Sequence, residues 1–225
     1  MDRRTWQIIA LVASIASLLY LVCSHFGIFR YIKLCSTNPE TYLANYTSLE
    51  KADKKRTVIV FTVPVDQLEK IDPFLNSLLD QTVRVDDIGI TIPYKDVNKI
   101  PQRYKKFLSV YGYSADYDDA ATLICAVLRE PETDTKIIIV DPNVIYANDF
   151  IETIVDCSND KNNVDKIIRG DETSLFRNGL LIKPKFFTDQ IALYQKGTGM
   201  KAWLEKCAQT SKVCAKCSNN YNRKS

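Results

Sequence analysis

Histidine is nearly absent from this chain: its one copy, His25, falls inside a hydrophobic segment. Ser-His-Asp triads, Cys-His pairs, histidine-based general catalysis and histidine metal sites are therefore excluded from the rest of the sequence. Phosphate-binding glycine loops are missing too, since neither a Walker loop nor Gly-x-Gly-x-x-Gly occurs among the seven glycines. Neither sign of charge predominates. Thirty Lys and Arg against 27 Asp and Glu leave a net charge of +3, and the two signs alternate along the chain, which argues against nucleic-acid binding. No internal repeat is present. Any chemistry rests on carboxylates, Lys or Arg, Tyr or Cys.

What the N-terminus does have is a long uncharged run. From Thr5 to Phe29 no side chain is charged when His25 is neutral, and at 1.5 Å per residue this stretch spans about 37 Å, more than a hydrocarbon layer of about 30 Å. Trp6 at one end, and Tyr20, Phe26, Phe29 and Tyr31 toward the other, are placed like interfacial aromatic belts, with Arg3, Arg4, Arg30 and Lys33 outside them. A single-pass helix over 6–29 is expected. A cleaved signal peptide ending near Ser14 and Ala16 is the alternative, but the apolar run continues well beyond that point. The sequon Asn45-Tyr46-Thr47 fits a domain on the lumenal or exterior side. Residues 30–55 read as a stem or linker.

Beyond it, strands and helices alternate. Arg56 to Val63, closed by Pro64, is a buried strand; Asp72-Pro73 opens a helix with Phe74, Leu75, Leu78 and Leu79 on one face. Asp87 to Ile92 is a second strand, followed by a weaker helix over Gln102 to Val110 and another opened by Asp118 and Asp119. Lys136 to Val140 is the most apolar strand, Asn148 or Asp149 caps a further helix, Gly179 to Lys183 is a fourth strand, and Trp203 marks a late helix. This order implies an α/β fold with a mainly parallel sheet and flanking helices. Ligands of such sheets bind beyond the carboxyl ends of strands, here Thr62 to Pro64, Thr91 to Pro93 and Asp141 to Asn143.

Three blocks together, Val60-Phe-Thr-Val-Pro64, Phe74-Leu-Asn-Ser-Leu-Leu-Asp-Gln-Thr82 and Ile88-Gly-Ile-Thr-Ile-Pro93, resemble the opening of GT-A type glycosyltransferase-like proteins of the nucleotide-diphospho-sugar transferase superfamily. Asp116-Tyr117, Asp134 to Asp141 and Val144 to Tyr146 are similar to that family's metal-motif block, and Asn178 to Phe187 to its acceptor-side strand. The resemblance covers 57–187 and implies a GT-A-like domain over 56–206, followed by a cysteine-containing polar tail over 207–225. It further implies a membrane-bound transferase moving a sugar from a nucleotide-sugar donor to a glycan or protein acceptor, or a catalytically inactive relative with a binding or structural role.

On this resemblance Thr62, Pro64 and Asp116 are nucleotide contacts, and Asp141 and Asn143 hold Mn²⁺ or Mg²⁺, hard cations that take oxygen ligands. Asp171 and Glu172 are the acidic pair placed to serve as acceptor base. The family's acidic triplet is replaced by Asp141-Pro142-Asn143, which substitutes a neutral amide for a carboxylate. Cys207, Cys214 and Cys217 form C-x6-C-x2-C, a pattern suited to a lumenal disulfide, or to zinc only if Cys125 or Cys157 joins it.

Overall fold

The computed structural model describes residues 2–25, 27–114, 120–170, 178–187, 204, 211–213 and 221–222, the last two segments by backbone alone. The chain divides into two compact units, Met1–Thr37 and Asn38–Ser225.

The first unit holds α1 (Arg3–His25) and α2 (Ile28–Ser36). α1 buries none of its residues and is long and apolar enough to cross a membrane. The Ser14 and Ser17 hydroxyls donate to the carbonyls of Ala10 and Ala13, both at 2.8 Å, so neither is left unpaired on an apolar helix. Gly27, at φ 64°, separates the two helices in the left-handed conformation that glycine adopts most readily.

The second unit is an α/β domain. In chain order it contains α3 (Pro39–Ser48), β1 (Thr57–Thr62), α4 (Asp72–Leu79), β2 (Asp87–Pro93), β3 (Ser109–Tyr113), α5 (Ala121–Arg129), β4 (Lys136–Ile139), β5 (Val144–Ile145), α6 (Phe150–Asn159), β6 (Ile167–Arg169), β7 (Leu180–Ile182), β8 (Ser211–Val213) and β9 (Tyr221–Asn222). The main sheet has the order β3-β2-β1-β4-β7-β6-β8, and β5 pairs separately with β9. Within the main sheet only β7 runs against the others. Helices cover both faces, which is why β1 and β4 carry the unbroken apolar runs Val58–Phe61 and Ile137–Ile139. Alternate side chains divide between the faces. Val58, Val60, Ile137 and Ile139 pack with Leu123, Ile124 and Val127 of α5. Phe61 points the other way and meets Phe74 of α4 edge-on, with centroids 4.9 Å apart, and that stack continues through Tyr146 to Phe150 of α6.

Three expectations differ from what the chain does. The stretch from Gln102 to Val110 is not a helix but a short 3-10 turn, Tyr104–Lys106, leading into β3. β3 forms because Tyr111 gains more as a strand residue. Its ring lies where a Cβ on Gly89 would be 2.6 Å away, and its hydroxyl donates to Asp87 Oδ2 at 2.6 Å; tertiary contacts of this kind override local helix preference.

Residues 30–55 are not a plain stem. Asn38 caps α3 by accepting from the Glu40 N–H, with Pro39 in the first turn. Tyr42 and Tyr46 are buried, and Tyr46 Oη accepts the Val85 N–H at 2.9 Å. Residues 50–52 then pair with Arg84, and Asp53 bonds the Lys136 ammonium, which is 2% exposed and also reaches Asn159. Burial pushes the Asp53 carboxyl up, but the Lys136 ammonium, the Lys55 N–H and the Asn159 amide together outweigh it and hold the group below its ordinary range.

Nor is the stretch 207–225 wholly a tail, because β8 extends the main sheet and β9 pairs with β5. β6, three residues long, was not anticipated. Trp203, Cys207, Cys214 and Cys217 lie outside the described residues. Cys125 is a free thiol, half-buried on α5.

Candidate functional site

Strand order reverses between β1 and β4: β2 and β3 build outward on one side of β1, while the chain resumes on its other side at β4. At such a reversal the connections leaving the two strands diverge to opposite faces, opening a crevice beyond their carboxyl ends. Thr62 and Pro64 end β1 there, and Asp141-Pro142-Asn143 follows β4 directly. Pairing is carried one step past β4 by the Val140 N–H to the Val60 carbonyl, at 3.1 Å. The structure therefore brings these sequence-derived candidates to one edge, on adjacent strands.

Thr62 is exposed, and its hydroxyl donates to the Thr91 carbonyl of β2 at 2.9 Å. Pro64 is exposed and starts a 3-10 turn over Val65–Lys70; lacking an N–H, it ends the ladder. Thr91, fully buried at the end of β2, leaves its own hydroxyl without a partner among the described residues. Tyr94, just after β2, is 70% exposed and lies against Gly112 of β3, where a Cβ would come within 2.5 Å of the ring.

The Asp141 turn is closed by its own residues. Asp141 Oδ1 accepts from the Asn143 backbone N–H at 2.8 Å and from Asn143 Nδ2 at 3.0 Å, an Asx turn. The Asp141 N–H donates to Tyr146 Oη at 2.8 Å. Asp141 Oδ2 and Asn143 Oδ1 have no partner among the described residues.

Beneath this turn lies a support that the motif Ser77-Leu-Leu-Asp-Gln-Thr82 supplies. Ser77 Oγ accepts the Tyr146 N–H at 3.1 Å. Gln81 is buried: its Nε2 donates to the carbonyls of Ser77 and Ala147, both at 2.7 Å, and its Oε1 accepts the Ile151 N–H at 3.0 Å. Thr82 donates through its backbone to Asn148 and through its hydroxyl to Glu152. These residues position the β4–α6 connection without touching its edge. The sequence pattern assigns them no role; the available signal was the polar run Asp80-Gln-Thr82 directly after an apolar helix.

Asp116, Asp171 and Glu172 lie outside the described residues. Among the described residues no three His, Cys, Asp or Glu side chains come together as a metal site. One carboxylate and one amide oxygen suit a hard cation only where a ligand's phosphates complete the shell, the usual situation for Mg²⁺.

No family model matches the sequence, and no curated protein matches it. Among solved structures, the chain is similar to 2-C-methyl-D-erythritol 4-phosphate cytidylyltransferase of Francisella tularensis. The identity is 11% and the TM-score 0.49, covering 76% of this chain and 95% of that one.

Proposed function

We propose that the second unit binds a nucleotide-diphospho-sugar at the β1/β4 reversal, and that the chain is a membrane-anchored transferase delivering the sugar to a glycan or protein acceptor. The observation that carries this reading is that Thr62, Pro64 and Asp141-Pro142-Asn143 end two paired parallel strands at one edge of the sheet. Thr62 and Pro64 line the nucleotide side, with Asp116 expected to join them. Asp141 faces the diphosphate with its free Oδ2. Mn²⁺ or Mg²⁺ shared between Asp141, Asn143 and the phosphates would supply charge neutralisation for a diphosphate leaving group. Asp171 or Glu172 would take the acceptor proton. α1 would hold the unit at the bilayer, with the domain on the lumenal or exterior side as the Asn45 sequon suggests; Asn45 is exposed on α3.

A second reading is favoured by a specific observation. Asn143 spends its side-chain N–H₂ on Asp141, so the turn is closed without a cation, as expected of a non-catalytic descendant that retains a binding or structural role. The experiment is equilibrium binding of a nucleoside-diphosphate-sugar panel to the full chain in detergent, with and without Mn²⁺, followed by donor hydrolysis. Cation-dependent binding with turnover is expected of the transferase. Binding without turnover selects a binding role for the second reading, and binding of nothing under any condition overturns the transferase and leaves a structural role.

A further inference from the structure

We infer that α2 is an interfacial helix that lies in the headgroup boundary of the bilayer crossed by α1, with a preference for anionic lipid. Ile28, Tyr31, Ile32 and Cys35 recur at the i, i+3, i+4, i+7 spacing of a single helical face, and all four are exposed, Ile32 to 56%. An apolar stripe of this kind, open to solvent in an otherwise well-packed chain, requires a cover. Arg30 and Lys33 occupy the other side, and no acidic residue occurs between Asp2 and Glu40. Apolar residues on one face and cations on the other, next to a membrane span, are the composition of a helix lying in the interface.

Position supplies the second argument. Only residues 26 and 27 separate α1 from α2, and Gly27 ends α1 by donating its N–H to the Ser24 carbonyl at 3.1 Å while taking a left-handed φ. The break is fixed by packing: Phe29 of α2 rests on Tyr20 of α1 with ring centroids 5.4 Å apart. Aromatic pairs at the end of a span belong at headgroup level. If α1 crosses the bilayer, the two-residue connection holds the start of α2 at its surface, and the exposed apolar stripe is the face that would turn toward the lipid. The inference rests on the membrane reading of α1 but not on any nucleotide site.

The test is photolabelling of the intact wild-type chain with a lipid-soluble diazirine in vesicles of phosphatidylcholine, with and without phosphatidylserine, followed by mass mapping. Labelling of Ile28, Ile32 and Cys35 should exceed that of Arg30 and Lys33 by about fivefold, following the helical period. Phosphatidylserine should increase it, and Arg30→Glu with Lys33→Glu should remove that increase. Label confined to α1 would overturn the inference while leaving the membrane reading intact. Label on neither helix would overturn both. A Cys35–Cys35 cross-linked dimer with an unlabelled α2 would assign the face to a second copy and overturn it as well.

Discussion

Asn143 differs from aspartate by one group, and that group points at Asp141. Replacing it by Asp puts two carboxylates within hydrogen-bonding distance, so without a cation one of them must stay protonated or the turn must open. Asn143→Asp should therefore lower Tm in chelator and recover it in Mn²⁺. Mn²⁺-dependent nucleotide affinity should rise about tenfold, or ~1.4 kcal/mol, the added anionic ligand being partly offset by its own desolvation. Asp141→Ala in folded protein should abolish nucleotide binding. A Tm loss in Asn143→Asp that Mn²⁺ leaves untouched would make the turn purely structural. Gln81 offers a different test. Gln81→Leu removes the hydrogen bonds to the Ser77 and Ala147 carbonyls and takes the acceptor from the buried Ile151 N–H, which costs about 1–3 kcal/mol; chemical denaturation measures it, and a loss below about 0.5 kcal/mol would refute the clamp. The end of β4 at Asp141 was legible because strand, carboxylate and proline are adjacent in sequence. The Gln81 support was not, because its partners Ala147 and Ile151 are remote in sequence.

At the level of elements, what could be read and what could not divides by how local the deciding contact is. β1, β2 and β4 are β-branched runs closed by Pro64, Pro93 and Pro142, and α4 opens on Asp72-Pro73, so each announces itself. Even so, the cap at α4 works differently from the sequence pattern: the Asp72 carboxylate accepts from Tyr104 and Arg103 and makes no side-chain cap. β3 and β6 depend on neighbouring strands, and β3 depends on Gly89 in particular. Gly89→Ala would place a methyl group against the Tyr111 ring, which is tethered to Asp87 and has little freedom to move. A destabilisation of about 1–3 kcal/mol is expected, largely relieved in the double variant with Tyr111→Leu. A double variant no more stable than Gly89→Ala alone would show that the glycine serves the backbone and not the ring.

For the molecule as a whole, the deeply placed phenols set an alkaline limit. Burial raises Tyr46 and Tyr111 above their ordinary range, and burial with the Asp72 hydrogen bond pushes Tyr104 up to about 12. A folded value above the unfolded one near 10 means the stabilisation is complete below pH 10 and is lost as pH rises from there toward 12, because the unfolded chain ionises first. Tyr104 alone accounts for about 2–3 kcal/mol of that loss. Tyrosinate absorbance and far-ultraviolet dichroism should change together in this window. Ionisation of every tyrosine near pH 10 with the fold intact would contradict the burial.

The Asp53–Lys136 pair also determines where this chain tolerates being cut. The segment around Thr37, between α2 and α3, is the boundary of the two units and the productive place to separate them. Cleavage there leaves a domain that keeps α3 and Asp53. Cleavage just before β1, at Arg56, would strip its counter-ion from Lys136, which is 2% exposed, a loss of about 3–5 kcal/mol when a buried pair is broken from one side. A chain beginning at Ser36 should thus fold stably, while one beginning at Arg56 should show a lowered Tm or fail to fold.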